Sequence, residues 1–326
     1  MKTIAVLMGG YSGEYEVSLK SGAVVYQALA ESQKFKVWRV EIFADRWEAM
    51  DEDELRYPIN RADFSFDYQG QTIHFDAVFN AIHGHPGEDG PLSSYFDLLG
   101  IAYSNSGAFP SALTFNKAEC NLVLQKFDIQ TPKALFYIEE QSDEEAVIAK
   151  EIGFPCFVKP CRSGSSIGVS KVASAMKLSE ALKKARAVDH KILIEKAVVG
   201  KELACGVSNH EGKIKALAVT HIKPPSDWFD YQSKYSGETA EITPAEIEPS
   251  LYQQIMKITE DVYQILELKG LARVDYILNE KNEPVLIEVN TIPGFRAESI
   301  LPKQAAYLGI APSKLFSASV ESCLPS

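Results

Sequence analysis

Thr3-Ile-Ala-Val-Leu-Met-Gly-Gly-Tyr-Ser-Gly-Glu-Tyr-Glu-Val-Ser18 carries an unbroken apolar run, a glycine-rich turn and the start of a helical pattern that continues through Gly22, Val25 and Leu29. An apolar run without polar alternation reads as a strand buried on both faces. Strand, glycine loop and helix in succession are the first step of a parallel α/β layer. The runs 37–43 and 77–82 continue the layer, and the second closes on His83-Gly-His-Pro-Gly-Glu-Asp-Gly90. Parallel sheets collect ligands at the carboxyl ends of their strands, so both glycine-rich loops are candidate site elements.

The pattern changes near Asn116. A helix over 117–127, a strand at Cys156-Phe-Val-Lys-Pro160, a Gly/Ser loop at Ser163-Gly-Ser-Ser-Ile-Gly168, a helix over 178–187 and a strand over 192–198 read as a small two-layer α+β unit. Longer alternating strands follow at 202–207 and 213–219. The polar stretch 223–248 has no steady period, and a loop of that length in a compact chain is usually functional. A helix over 250–268, strands over 271–278 and 284–289, Asn290-Thr-Ile-Pro-Gly294 and closing helices complete the chain.

The 326 residues are 46% hydrophobic and 24% charged, which fits two or three globular domains and excludes disordered and collagenous classes. The net charge of -11 has the wrong sign for a polyanion binder, so nucleic acid is not an expected partner. Five cysteines without a C-x-x-C pair fit reduced thiols in a cytoplasmic protein. No apolar stretch reaches the ~18 residues of a membrane span.

The first glycine loop lacks a full G-x-G-x-x-G with a following ribose-binding acid, which disfavours a nicotinamide fold. Glu14 and Glu16 at the helix start suit the macrodipole whatever the function, although Glu14 would also offer a fixed negative partner to an amine. Lys159 ends an apolar strand before Gly164, Ser165, Ser166 and Gly168, the chemistry that cradles phosphate with backbone N–H groups and one cation. Asp275 lies in Arg273-Val-Asp-Tyr-Ile-Leu278. Glu288 and Asn290 share one face of the following strand by period two. Three oxygen ligands on apolar strands suit Mg²⁺ shared with nucleotide phosphates.

Six segments together resemble the D-alanine:D-alanine ligases of the ATP-grasp superfamily: Gly9 to Ser18, His83-Gly with Gly87-Glu-Asp-Gly90, Val158-Lys-Pro with Gly164 to Gly168, Asp230-Tyr-Gln-Ser-Lys-Tyr235, Arg273-Val-Asp275 and Glu288-Val-Asn-Thr-Ile-Pro-Gly294. The resemblance runs in order from about residue 3 to 310. It implies an α/β (α+β) three-domain ATP-grasp fold: a Rossmann-like parallel-sheet domain over 1–116, a central subdomain over 117–202, and a C-terminal subdomain over 203–326 with a lid near 223–248. The boundaries follow the pattern breaks.

The implied reaction joins two D-alanines through a D-alanyl phosphate, using ATP and two Mg²⁺ or Mn²⁺ ions, for peptidoglycan precursor synthesis. The family commonly dimerises through its N-terminal domain. Residue by residue, the resemblance puts Lys117 and Lys159 on the ATP phosphates with Ser165 and Ser166 closing over them. Glu195, Lys196 and Val198 match the adenine-binding strand, and Glu202 matches the ribose carboxylate. Asp275, Glu288 and Asn290 match metal ligands. Glu14 would hold the first D-alanine ammonium, His83 would lie near its carboxylate, and Ser165 and Tyr235 would bridge to Glu14. Arg273 and the Gly294 N–H match the oxyanion site. Lys234, Ser299 and the Ile300 N–H match the site of the second carboxylate.

Four departures stand out: Asn116, Phe229, Arg296 and Glu298, the last two where Thr and a neutral or His residue are common. The expectation is that Arg296 and Glu298 pair and point away. If Arg296 faces the acceptor instead, its fixed positive fork would favour an acidic D-amino acid, and so a different amino-acid pair, or make a second carboxylate contact. A nucleotide-binding regulator without catalysis is the reading from another class, and the intact triad, lysines and Arg273 speak against it.

Overall fold

The computed structural model describes residues 1–210, 212–223 and 239–325. β1 (Lys2–Gly9), α1 (Tyr15–Glu31) and β2 (Phe35–Ile42) form the expected strand, loop and helix, with Ile4 to Leu7 wholly removed from solvent. β3 (Trp47–Met50) and β4 (Arg56–Pro58) add an antiparallel edge, and β5 (Phe66–Tyr68) and β6 (Gln71–Ile73) form a separate hairpin. β7 (Ala77–Asn80), α2 (Pro91–Leu99), β8 (Ala102–Tyr103) and α3 (Ala108–Phe115) follow. The sheet order is β4-β3-β2-β1-β7-β8, with β1 parallel to both β2 and β7. The strand order therefore reverses at β1, and a crevice opens between the loops that follow β1 and β7.

α4 (Lys117–Gln125) leads into a second sheet, antiparallel throughout, built from β9 (Ala134–Tyr137), β10 (Cys156–Pro160), β11 (Ser170–Val172) and β12 (Ile192–Lys196) in the order β11-β10-β12-β9. α5 (Glu144–Glu151) and α6 (Leu178–Arg186) cover one face: Ile148, Leu178 and Leu182 pack on Cys156, Val158 and Ile194. Period two puts Phe157, Lys159 and Glu195 on the other face.

The third sheet comprises β13 (Gly200–His210), β14 (Lys213–Lys223), β15 (Ala240–Ile242), β16 (Leu271–Asn279) and β17 (Pro284–Asn290), in the order β15-β14-β13-β16-β17. β15 pairs with β14, so part of the unpatterned stretch is regular structure. α7 (Pro249–Ile265) buries Ile255, Val262 and Tyr263 on this sheet. The parallel arrangement inferred from the alternation thus belongs to the first sheet alone.

α8 (Ile300–Tyr307) and α9 (Pro312–Cys323) return to the first sheet, where Leu301, Ala305, Phe316 and Val320 share a core with Ile4, Val6 and Phe79. Gln304 ties α8 to the third sheet: its Nε2 donates to Ala204 O and Thr220 Oγ1, both at 3.0 Å, and its Oε1 accepts from Gly206 N–H at 2.9 Å. Phe295 meets Phe79 edge-on at 5.4 Å. The segment between β17 and α8 is therefore held against two sheets. No helix among the described residues is long and apolar enough to cross a membrane.

Candidate active site

Loops from all three sheets converge at one place. After β1, Gly9 and Gly10 have φ of +88° and +100°, and a Cβ on Gly10 would lie 2.6 Å from the Ile82 side chain. Only glycine takes that turn without strain. Tyr11 N–H donates to His85 O, and Ser12 Oγ to His83 O, each at 2.9 Å, which fastens this loop to the one after β7. Glu14 starts α1, but its side chain makes no capping bond. The carboxylate is buried and accepts a hydrogen bond from Ser165 Oγ in the loop after β10. That loop approaches so closely that a Cβ on Gly164 would lie 2.4 Å from Glu14 Oε2. Ser165 and Ser166 hold φ of +48° and +57°, a left-handed conformation that costs non-glycine residues roughly 1–2 kcal/mol each and persists where surroundings enforce it.

Two adjoining cavities open around these loops. The first lies between the second and third sheets, with Lys159, Glu195, Lys196 and Val198 on one wall, Glu202 and Asp275 on the other, and Ser166 at its end. Lys159 is ion-paired with Glu195, their side chains 9% and 3% exposed, and Glu195 also accepts from Asn121 Nδ2 at 3.1 Å. The Glu195 carboxylate therefore serves the lysine. Lys196 Nζ donates to Phe154 O at 3.1 Å.

The second cavity is lined by Glu14, His83, Ser165, Arg273, Asn290, Gly294, Ser299 and Ile300. Lys117 and Glu288 line both cavities. Lys117 Nζ donates to Ser163 O at 2.6 Å and lies 3.8 Å from Glu288 Oε2. Every expected site residue that is described lines one cavity or the other. Lys234 and Tyr235 lie outside the described residues.

Burial pushes His83 down to about 4, helped by the charges of Arg273 and Arg296 and opposed by a hydrogen bond to the Ile292 backbone. The ring is neutral at pH 7, with Nε2 2.8 Å from Ser21 Oγ. It brings no positive charge to the cavity, and its hydrogen bonds go to Ser21 and the Ile292 backbone. Burial and the negative charge of Glu14 push Glu88 up to about 8, against the Gly84 N–H and Lys117. Glu88 lines the second cavity and accepts from Gly84 N–H at 3.0 Å. The sequence reading gave it no role, although an acid in a glycine loop after a buried strand was the signal to follow. Glu241 also lines this cavity and is held by Lys303 Nζ at 2.9 Å.

Arg273 donates through Nε and Nη2 to the two oxygens of Asp275, each at 2.7 Å. Burial works against its charge, but Asp275, Glu288 and Glu241 outweigh it and keep the guanidinium protonated. Asp275 faces Glu288, and Arg273 faces Asn290, across the β16–β17 ladder. Two carboxylates and an amide are an all-oxygen donor set that fits a hard divalent cation. No group of three His, Cys, Asp or Glu side chains is arranged for a metal among the described residues, so a cation held here would need Asn290 and ligand oxygens to complete its shell.

Arg296 Nη1 lies 3.8 Å from Glu298 Oε1, and both residues line the second cavity. The expected pair is loose and does not point away. Its segment is turned over the cavity by the bond from Ser299 N–H to Arg296 O, 2.8 Å.

Comparison with known proteins places this geometry in context. Residues 3–106 match the family described as D-ala D-ala ligase N-terminus, and residues 123–321 the one described as D-ala D-ala ligase C-terminus. The chain is 45% identical over 323 residues to a D-alanine–D-alanine ligase of Flavobacterium johnsoniae, covering 98% of this chain and 99% of the relative. It is similar in structure to D-alanyl-alanine synthetase A of Vibrio cholerae, with a TM-score of 0.90, 29% identity and coverage of 99% and 98%. It also resembles a D-Ala:D-Ser ligase of Enterococcus faecalis, with a TM-score of 0.86, 30% identity and 98% coverage of each chain. With both parts of the family matched and a full-length relative at 45% identity, the chain belongs to the D-alanine–D-alanine ligase family and has its ATP-grasp fold.

Proposed function

We propose that this enzyme joins two D-alanines to D-alanyl-D-alanine at the expense of ATP, in the cytoplasm, for peptidoglycan precursor synthesis. The observation that carries the reading is the pair of cavities sharing Lys117 and Glu288. A nucleotide in the first has its terminal phosphate at the border where a carboxylate held in the second can reach it.

Lys159 and Lys117 then face the phosphates, with Glu195 keeping Lys159 aimed at them. Glu202 takes the ribose hydroxyls, since an ionised carboxylate only accepts. A divalent cation, in our reading two Mg²⁺ ions, fits Asp275, Glu288 and Asn290 and supplies neutralisation of phosphate charge. Glu14 holds the ammonium of the first D-alanine, with Ser165 fixing the Glu14 carboxylate. His83, held neutral between Ser21 and the Ile292 backbone, lies near the substrate carboxylate. A carboxylate oxygen bonds the γ-phosphorus while the bond to the β-phosphate oxygen breaks, which gives D-alanyl phosphate and ADP. The amine of the second D-alanine, with its carboxylate on Ser299 and the Ile300 N–H, loses a proton and attacks the acyl carbon. Arg273 and the Gly294 N–H stabilise the oxyanion, and phosphate leaves as the amide forms. Lys234 and Tyr235 belong to this scheme through the resemblance alone. The exposed Leu98 and Phe109 on α2 and α3 support association of two copies through the N-terminal unit.

The test is phosphate release with ATP and Mg²⁺ on addition of D-alanine, L-alanine, D-lactate or D-serine, with products identified by mass. Release with D-alanine, yielding the dipeptide, is expected. Release that requires a different acceptor would overturn the assignment.

A further inference from the structure

Three cations line the second cavity among the described residues: Lys117, Arg273 and Arg296. Two are already engaged. Lys117 donates to Ser163 O at 2.6 Å, and Arg273 donates both arms of its fork to Asp275 at 2.7 Å. Arg296 differs. Its recorded partner is Glu298 at 3.8 Å, beyond hydrogen-bond reach, and the Glu298 side chain is 66% exposed while that of Arg296 is 29% exposed. Its charge reaches inward as well, because it acts with Arg273 in keeping His83 neutral.

Apart from neutral His83, the cavity's other ionisable residues among those described are acids: Glu14, Glu88, Glu241, Glu288 and Glu298. An amino acid entering as a zwitterion finds ample acidic partners for its ammonium and few cations for its carboxylate. The carboxylate that becomes phosphorylated belongs at the Lys117 and Glu288 border. The other, on the acceptor, belongs at the Ser299 end. Arg296 stands there, since its carbonyl receives the Ser299 N–H in the turn that starts α8.

Resting on the ligase reading above, we infer that Arg296 is a further binding residue for the acceptor amino acid, its planar fork taking the acceptor carboxylate alongside Ser299. A guanidinium matches a carboxylate in two parallel hydrogen bonds. Glu298, loosely paired and exposed, does not occupy the fork. Arg296 thus sets the affinity for the acceptor's carboxylate and leaves the choice among D-amino acid side chains unchanged.

The experiment compares the natural protein with Arg296→Thr. D-alanine is present throughout at a level that fills the first site; it is raised above that level to read the acceptor site, or held there while another acceptor is varied, with products resolved by mass. The acceptors are D-alanine, D-serine, D-aspartate and D-alaninamide, which has the amine but no carboxylate. The variant should raise the KM for D-alanine as acceptor about 10- to 100-fold, the loss of one charge-assisted pair. It should leave the KM for D-alaninamide unchanged and the order of preference among carboxylate acceptors unaltered. Activity with the amide also shows that the variant is folded. An unchanged KM for D-alanine, an equal penalty with the amide, or a new preference for D-serine or D-aspartate would each overturn the inference. If the natural protein forms no dipeptide at all, the ligase reading itself falls, a result distinct from those three.

Discussion

Replacing Lys159 with alanine should damage the fold as well as nucleotide binding, and the two effects should separate. The pair it forms with Glu195 is almost closed to water, at 9% and 3% side-chain exposure, and the remaining partner of Glu195 is a single amide, Asn121 Nδ2 at 3.1 Å. Removing one member of a buried pair leaves an uncompensated charge and costs ~3–5 kcal/mol, whereas replacing both members with neutral groups is often close to neutral. Lys159→Ala is therefore expected to lose ~3–5 kcal/mol in urea unfolding of the ligand-free protein. Adding Glu195→Gln should return most of that loss, because glutamine is uncharged and still accepts from Asn121. Calorimetry with Mg-ATP should show weak binding in both variants, since neither has the cation. Two outcomes would refute the reasoning. Equal stability of the natural and Lys159→Ala proteins would mean that the pair is not buried, and unchanged Mg-ATP affinity would remove Lys159 from the phosphates.

Glu14→Gln should raise the concentration of first D-alanine required, with Mg-ATP affinity kept; unaltered affinities at both amino-acid sites would reduce Glu14 to a helix-start carboxylate. Gly164→Ala brings a Cβ within 2.4 Å of Glu14 Oε2 and should displace that carboxylate, lowering kcat/KM for the first D-alanine roughly 10- to 100-fold, which initial-rate kinetics would detect. His83, whose folded pKa of about 4 lies below its ordinary 6.5, contributes stability that is complete above pH 6.5 and is lost as pH falls toward 4, about 3 kcal/mol in all. Thermal unfolding of ligand-free His83→Gln should show a flatter profile between those limits, and an unchanged acid limb would exclude a buried neutral ring.

The chemistry of the fold was more legible than its edges. β1, β10 and β16 carry continuous or strongly periodic apolar residues because each is covered by neighbours, and the sequence reading finds them within a residue or two. The region 45–75 yields nothing to the same reading. β4, β5 and β6 have three residues each, too few to show a period. Their stabilisation comes instead from side chains far apart in sequence, such as Trp38 edge-on to Phe66 at 4.8 Å and to Tyr68 at 4.9 Å. α2 is a different kind of miss. Pro91 at its start and Gly100 past its end, with φ of +67°, are ordinary helix signals, but they follow directly on the glycine motif and read as its continuation.

In the site, residue types were legible and partnerships were not. A chain that must hold phosphate, metal and an ammonium needs lysines, carboxylates and glycines at strand ends, and those stand out against apolar strands. Which of them neutralise one another depends on contacts such as Glu14 with Ser165, 151 positions apart, and Lys117 with Glu288. The short-range exception was readable: Arg273 and Asp275 are two apart on one strand and share a face, so the arginine was placed to embrace the carboxylate. These pairings have a consequence for binding order. Lys159 and Arg273 each already have an acidic partner, and Lys117 has a carbonyl with Glu288 3.8 Å away, so none of the three cations is unpartnered in the ligand-free site. A nucleotide triphosphate entering it meets Asp275, Glu288 and Glu202 as well as the lysines. On the reading proposed above, its charge is accommodated among those carboxylates only with cations that arrive alongside it, so that the proposed donor set at Asp275, Glu288 and Asn290 and the proposed phosphate loop would work as one unit.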